Sequence, residues 1–123
     1  MMGTYQGDDT TGFQSPAQDY IEPVINMADI LDLRRPGIYP VRVIGQELRS
    51  RGIHAGDILI ANAAAEPVAG KVCVALLHGE FILATLVRDG ESWWLRPSSG
   101  NAVEVDGDIE IWAMIKALVR TRV

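Results

Sequence analysis

From Ile38 onward the chain is a succession of short apolar runs separated by turn residues, and that punctuation restricts it to a sheet. The runs are I-Y-P-V-R-V-I, D-I-L-I-A, K-V-C-V-A-L-L, F-I-L-A-T-L-V, S-W-W-L-R and I-E-I-W-A-M-I-K-A-L-V. Runs of this length, rich in β-branched and aromatic residues and spaced at short intervals, make strands and not helices. Two breaks between them are hairpin signals, His78-Gly79 and Asp89-Gly90, because glycine takes positive φ without steric cost. The expected product is a mainly β domain built on a curved antiparallel sheet or partial barrel.

Before that domain the texture differs. Residues Met1 to Thr11 are polar, contain glycine and show no periodicity, which predicts a flexible tail over 1–11. An arm with one short helix is expected over 12–36, with Phe13 and Tyr20 as anchors and Pro16 keeping Ser15 out of helical geometry. The helix follows from the spacing of Met27, Ile30 and Leu31, with Asn26 as its cap, and stops before Arg35-Pro36. The β domain then occupies 37–123.

Composition narrows the function classes. With 123 residues, 48% hydrophobic and 22% charged, the chain suits one domain with its own core. A net charge of −5 argues against direct docking on nucleic acid, where Lys and Arg must neutralise phosphates. Cys73 is the only cysteine and lies in an apolar run, so no intrachain disulfide can form and a reducing cytoplasm is the expected location. The first ten residues lack the basic and apolar regions of a signal peptide, and no apolar run approaches the roughly 20 residues that cross a bilayer.

Four blocks, in order, carry a resemblance. The first is Gly12, Phe13, Ser15, Pro16, Ala17, Asp19 and Tyr20; the second is Gly45 with Gly52, Ile53, Gly56, Asp57, Leu59 and Ile60. The third is Gly79, Glu80 and Phe81, and the fourth runs from Leu95 to Pro97. Taken together they resemble UmuD-like members of the LexA/UmuD S24 peptidase family over Gly12 to about Arg120. The resemblance implies a LexA and signal-peptidase-like β fold, and self-cleavage by a Ser/Lys dyad in active members. It also implies a part in the bacterial SOS response.

The departures from that family pattern concern the chemistry itself. Where the family reads G-D-S-M, this chain has Gly45, Gln46, Glu47 and Leu48, so Glu47 stands at the nucleophile position. After G-E-F the family places a lysine three residues on, and here Ile82 and Leu83 lead to Ala84. The dyad requires a desolvated lysine of lowered pKa to take the serine proton; without hydroxyl and amine no acyl intermediate forms. The expectation is a pseudo-enzyme with no catalytic residue, Glu47 and Ala84 being degenerate positions. The junction that matches the family's cleavage site is Thr11-Gly12, with eleven residues before Gly12, so the chain is expected to resemble the processed form from the outset.

Other residues offer no replacement dyad. Ser50 reads as a polar loop residue, Lys71 and Lys116 fall outside the base position, and a Glu47–Glu80 carboxylate pair has no family counterpart. His54 and His78 lack metal-ligand spacing, and neither a metal nor a cofactor is expected. Glu47 is expected to face solvent, with the cleft retained as a groove that could hold an extended peptide. In the last run, Ile111, Ala113 and Ile115 are expected on one face and Trp112, Met114 and Leu118 near the other; Ile111, Trp112, Met114 and Leu118 are candidates for a homodimer interface. Trp93 and Trp94 should point to opposite faces, and Arg34, Arg35, Arg49 and Arg51 form a basic concentration for an acidic partner or a solvated loop. The partners that the resemblance implies are a Y-family translesion polymerase subunit, the RecA filament or an active S24 homologue. The leading role is an accessory subunit of the polymerase. The alternatives are a decoy that heterodimerises with an active homologue, and a self-cleaving peptidase with an unrecognised dyad.

Overall fold

The computed structural model describes residues 20–45, 48–97 and 100–122. The expected tail over 1–11, most of the arm, the junction Thr11-Gly12 and Glu47 lie outside the described residues. The chain divides into two units, Met1–Ile30 and Leu31–Val123.

In the first unit a single helical turn, α1, spans Met27–Ile30. Asn26 caps it as expected: its side-chain oxygen accepts the Asp29 N–H at 3.2 Å, and its carbonyl accepts the Ile30 N–H at 3.1 Å.

The second unit is one open seven-stranded antiparallel sheet. Its strands are β1 (Ile38–Arg42), β2 (Ile58–Asn62), β3 (Val72–Leu77), β4 (Glu80–Asp89), β5 (Ser92–Arg96), β6 (Val103–Glu104) and β7 (Ile109–Val119). They lie in the order β1-β2-β7-β3-β4-β5-β6, so the last strand is inserted in the interior between two strands laid down early. The mainly β expectation holds, and both hairpin signals act as read. His78 and Gly79 take φ of 50° and 84°, a two-residue turn that pairs Leu77 with Glu80; Gly90, at φ 65°, opens the turn that pairs Asp89 with Ser92.

Three apolar clusters hold the sheet. Cys73, Ala75, Ala84, Leu86, Leu95, Ile109 and Met114 form the largest, with Trp93 and Ile111 packed against it. Val43, Leu48, Ile53, Leu59 and Val72 form a second, joined by Leu83 and Ile115, and Leu31, Ile38 and Ile60 a third. Leu59, Leu86 and Leu95 are sealed from solvent, and each contributes about 2–3 kcal/mol of burial.

The alternation expected along the last strand is corrected. Val74 and Ala75 pair with Ala113 and Ile111, which leaves Trp112 as an extra residue; on the other side Ile60 and Ala61 pair with Ala117 and Ile115, which leaves Lys116 extra. Each bulge shifts the side-chain phase by one position. Ile111 and Met114 therefore share the largest cluster instead of lying on opposite faces, and Ile115 joins the second cluster.

Candidate functional site

The site grows from the connection between β1 and β2. Its neck is closed by two hydrogen bonds, Val43 N–H to the Asp57 carbonyl at 2.9 Å and Gly56 N–H to the Val43 carbonyl at 2.7 Å. Within the loop Leu48 is buried, and its carbonyl accepts from both Arg51 N–H and Ile53 N–H. A 3-10 turn, Arg49–Arg51, follows and ends where Gly52 takes a left-handed φ of 80°, a conformation that costs a side-chain-bearing residue. Leu48 and Ile53 thus anchor the loop to the second cluster, and the nucleophile position is the residue immediately before one of these anchors.

Two arginines brace the loop, one from within it and one from the far end of the chain. Arg51 donates to the Thr85 hydroxyl at 3.0 Å and to the Gly70 carbonyl at 3.3 Å, which ties the 3-10 turn to β4 beside Ala84. Arg120, at the end of β7, grips buried Asp57 with Nε at 2.8 Å and Nη2 at 2.7 Å, and also donates to the Gly52 carbonyl at 2.7 Å. Asp57 Oδ2 accepts the His54 N–H at 2.8 Å as well. The Arg120 hydrogen bonds, followed by the His54 amide, hold the Asp57 carboxyl far below the usual carboxylate range.

Ala84 is fully buried on the sealed face of β4, paired with Cys73 and packed with Leu86, Leu95 and Met114. Its partners in that cluster are apolar, and burial pushes the Cys73 thiol up to about 11, which leaves it protonated and a poor nucleophile. The next residue back, Leu83, points the other way and lines an apolar groove of about 400 Å³ together with Val41, Val43, Gly45, Leu59 and Trp112. At one wall Trp112 sits between Tyr39 and Phe81, each with ring centroids 5.5 Å from its own. Phe81 is 63% and Ile44 92% exposed, so the mouth of the groove is apolar.

The structure brings together Gly45, Leu83 and Trp112 at the groove, with Ala84 just beneath in the core. Ser50 lies exposed in the 3-10 turn; Lys71 precedes β3, and Lys116, at one bulge, pairs with Asp32 at 2.8 Å. Of the four interface candidates, Ile111 and Met114 pack into the largest cluster, Trp112 lines the groove and Leu118 is 38% exposed. Because β7 is an interior strand, its backbone offers no free edge, and association through it would have to use side chains. Trp93 packs against the largest cluster with Arg88 4.9 Å over its ring, whereas buried Trp94 Nε1 has no acceptor among the described residues. No three His, Cys, Asp or Glu side chains converge as a metal site among the described residues. No helix among them is long and apolar enough to cross a membrane.

Sequence reasoning missed the two braces. Arg51 was legible only as part of a basic concentration, and nothing local marks Arg120 as the partner of an aspartate 63 positions earlier. The only available signal was Asp57 itself, a carboxylate set directly before an apolar strand, where burial demands a partner.

Comparison with known proteins decides the lineage. The peptidase S24-like family model matches residues 4–116. The chain belongs to the peptidase S24-like family. Among individual relatives, Protein MucA of Escherichia coli is 31% identical over 117 residues, covering 86% of this chain and 75% of that protein. Protein SamA of Salmonella typhimurium is 36% identical over 76 residues, 61% of this chain and 54% of SamA. The LexA repressor of Methylococcus capsulatus is 32% identical over 92 residues, 71% of this chain and 46% of the repressor. The chain spans about half the length of the SamA and LexA relatives that it matches.

Proposed function

We propose that this S24-like chain is a catalytically inactive, UmuD-like accessory subunit, similar to the processed form that works with a Y-family translesion polymerase in the bacterial DNA-damage response. The observation that carries the reading is the pair of substitutions at the dyad positions, Glu47 and Ala84. Ala84 is fully buried in an apolar cluster and supplies only a methyl, so it offers no base. Neither Lys71 nor Lys116 stands in for it: the first precedes β3, and the second is bonded to Asp32. The retained groove, with its exposed aromatic rim, supports a binding role in place of a cutting one. The chain acts as a homodimer in this reading, joined through side chains of β7 such as Leu118.

Co-purification separates this role from the decoy alternative. Tagged chain mixed with a Y-family polymerase and, in parallel, with an active S24 homologue is expected to retain the polymerase. Retention of the homologue alone would replace the accessory reading with the decoy.

A further inference from the structure

We infer that the turn His54–Asp57 is a binding site for the carboxylates of an acidic segment in a protein partner. Three guanidinium groups meet at this turn. Arg120 is committed to Asp57; Arg42 Nη1 donates only to the Gly56 carbonyl, at 3.3 Å; and Arg122 Nη2 lies 3.8 Å from where a Cβ on Gly56 would stand. Among the described residues Arg122 makes no hydrogen bond, and no carboxylate pairs with Arg42 or Arg122. Among the described residues one carboxylate stands against three arginines at this turn, on a chain whose net charge is −5. His54, Gly56, Asp57, Arg120, Thr121 and Arg122 line a hollow of about 200 Å³ there, with the Asp57 carboxylate held by Arg120.

Planar guanidinium groups match carboxylates in fork geometry; Arg122 has no hydrogen-bond partner among the described residues, and Arg42, with a single bond to the Gly56 carbonyl, keeps further donors to offer. Polyphosphate ligands such as nucleic acid are disfavoured, because the acidic chain repels them beyond this turn. Arg42 decides between a free anion and a peptide. It lines the apolar groove as well as reaching the turn, so an extended segment with apolar residues followed by acidic ones engages both surfaces at once. The inference stands apart from the accessory-subunit reading, since it needs only these arginines and the groove beside them.

The test uses the full chain labelled with nitrogen-15 and a blocked hexapeptide of three leucines followed by three glutamates. The expected result is a set of amide shifts centred on Ala55, Gly56 and Thr121, suppressed by added salt. Arg42→Ala with Arg122→Ala should weaken binding roughly tenfold or more, and Arg96→Ala should leave it unchanged. Should the double variant lose its folded spectrum, Arg122→Ala alone carries the test, since its guanidinium bonds to nothing among the described residues. Equal binding of a hexapeptide with glutamine in place of glutamate overturns the inference. So does inorganic phosphate shifting these amides when the acidic peptide does not, or undiminished binding by a folded double variant.

Discussion

β4 presents two surfaces made of adjacent residues, and they differ in what they meet. On one, Ala84 and Leu86 are sealed with Cys73 and Leu95; on the other, Phe81 and Leu83 border an open apolar groove. Ala84, the position proposed for the family's lysine, belongs to the closed surface, and the walls proposed to hold a peptide belong to the open one. The difference teaches that adjacent residues of one strand serve separate ends: the sealed surface supplies core packing, while the groove takes its walls from neighbouring strands.

Substitutions on the two surfaces should therefore differ in both size and kind. Ala84→Lys is the most disruptive, at about 4 kcal/mol near neutral pH, because a long side chain must enter a filled cluster and its ammonium must lose water. The lysine pKa is lowered in the folded chain, so the unfolded chain binds more protons, and the deficit should shrink as pH rises toward about 10. Urea unfolding across pH measures this; a deficit independent of pH would mean that the amine reaches solvent. Leu95→Ala, on the same sealed surface, should cost about 3 kcal/mol by thermal or urea unfolding.

Asp57→Asn probes the loop neck. The folded-state pKa of Asp57 is depressed, so its contribution is full above the ordinary aspartate value of 3.8 and is lost as pH falls below it. The wild-type chain should lose stability on acidification through that range. The variant should start less stable at neutral pH and show a flatter acid limb. Arg51→Ala removes two exposed hydrogen bonds and should cost about 0.5–1 kcal/mol. Phe81→Ala, at the rim of the groove, should change stability by less than about 0.5 kcal/mol while altering Trp112 fluorescence, since their rings are in contact.

How much of this was legible depended on how far apart the interacting residues lie. The hairpins at His78-Gly79 and Asp89-Gly90 and the Asn26 cap are set by two to four neighbouring residues, so the sequence states them directly. The faces of β7 were misread because bulges at Trp112 and Lys116 reset the alternation, and a bulge depends on the partner strand as much as on its own residues. The Asp57–Arg120 clamp joins the loop neck to the end of the last strand, a meeting created only by inserting β7 beside β2. At the site, the motif frame gave the anchored loop around Leu48, whereas the separation of Ala84 from the groove surface needed the strand register.

The central claim is that this S24-like scaffold no longer cuts peptide bonds. Intact-mass spectrometry of the purified chain after prolonged incubation at alkaline pH, where a lysine base would be deprotonated, tests it most directly. The account predicts a single unchanged mass with the fold retained; a pair of fragments from a specific cut at Thr11-Gly12 would contradict it.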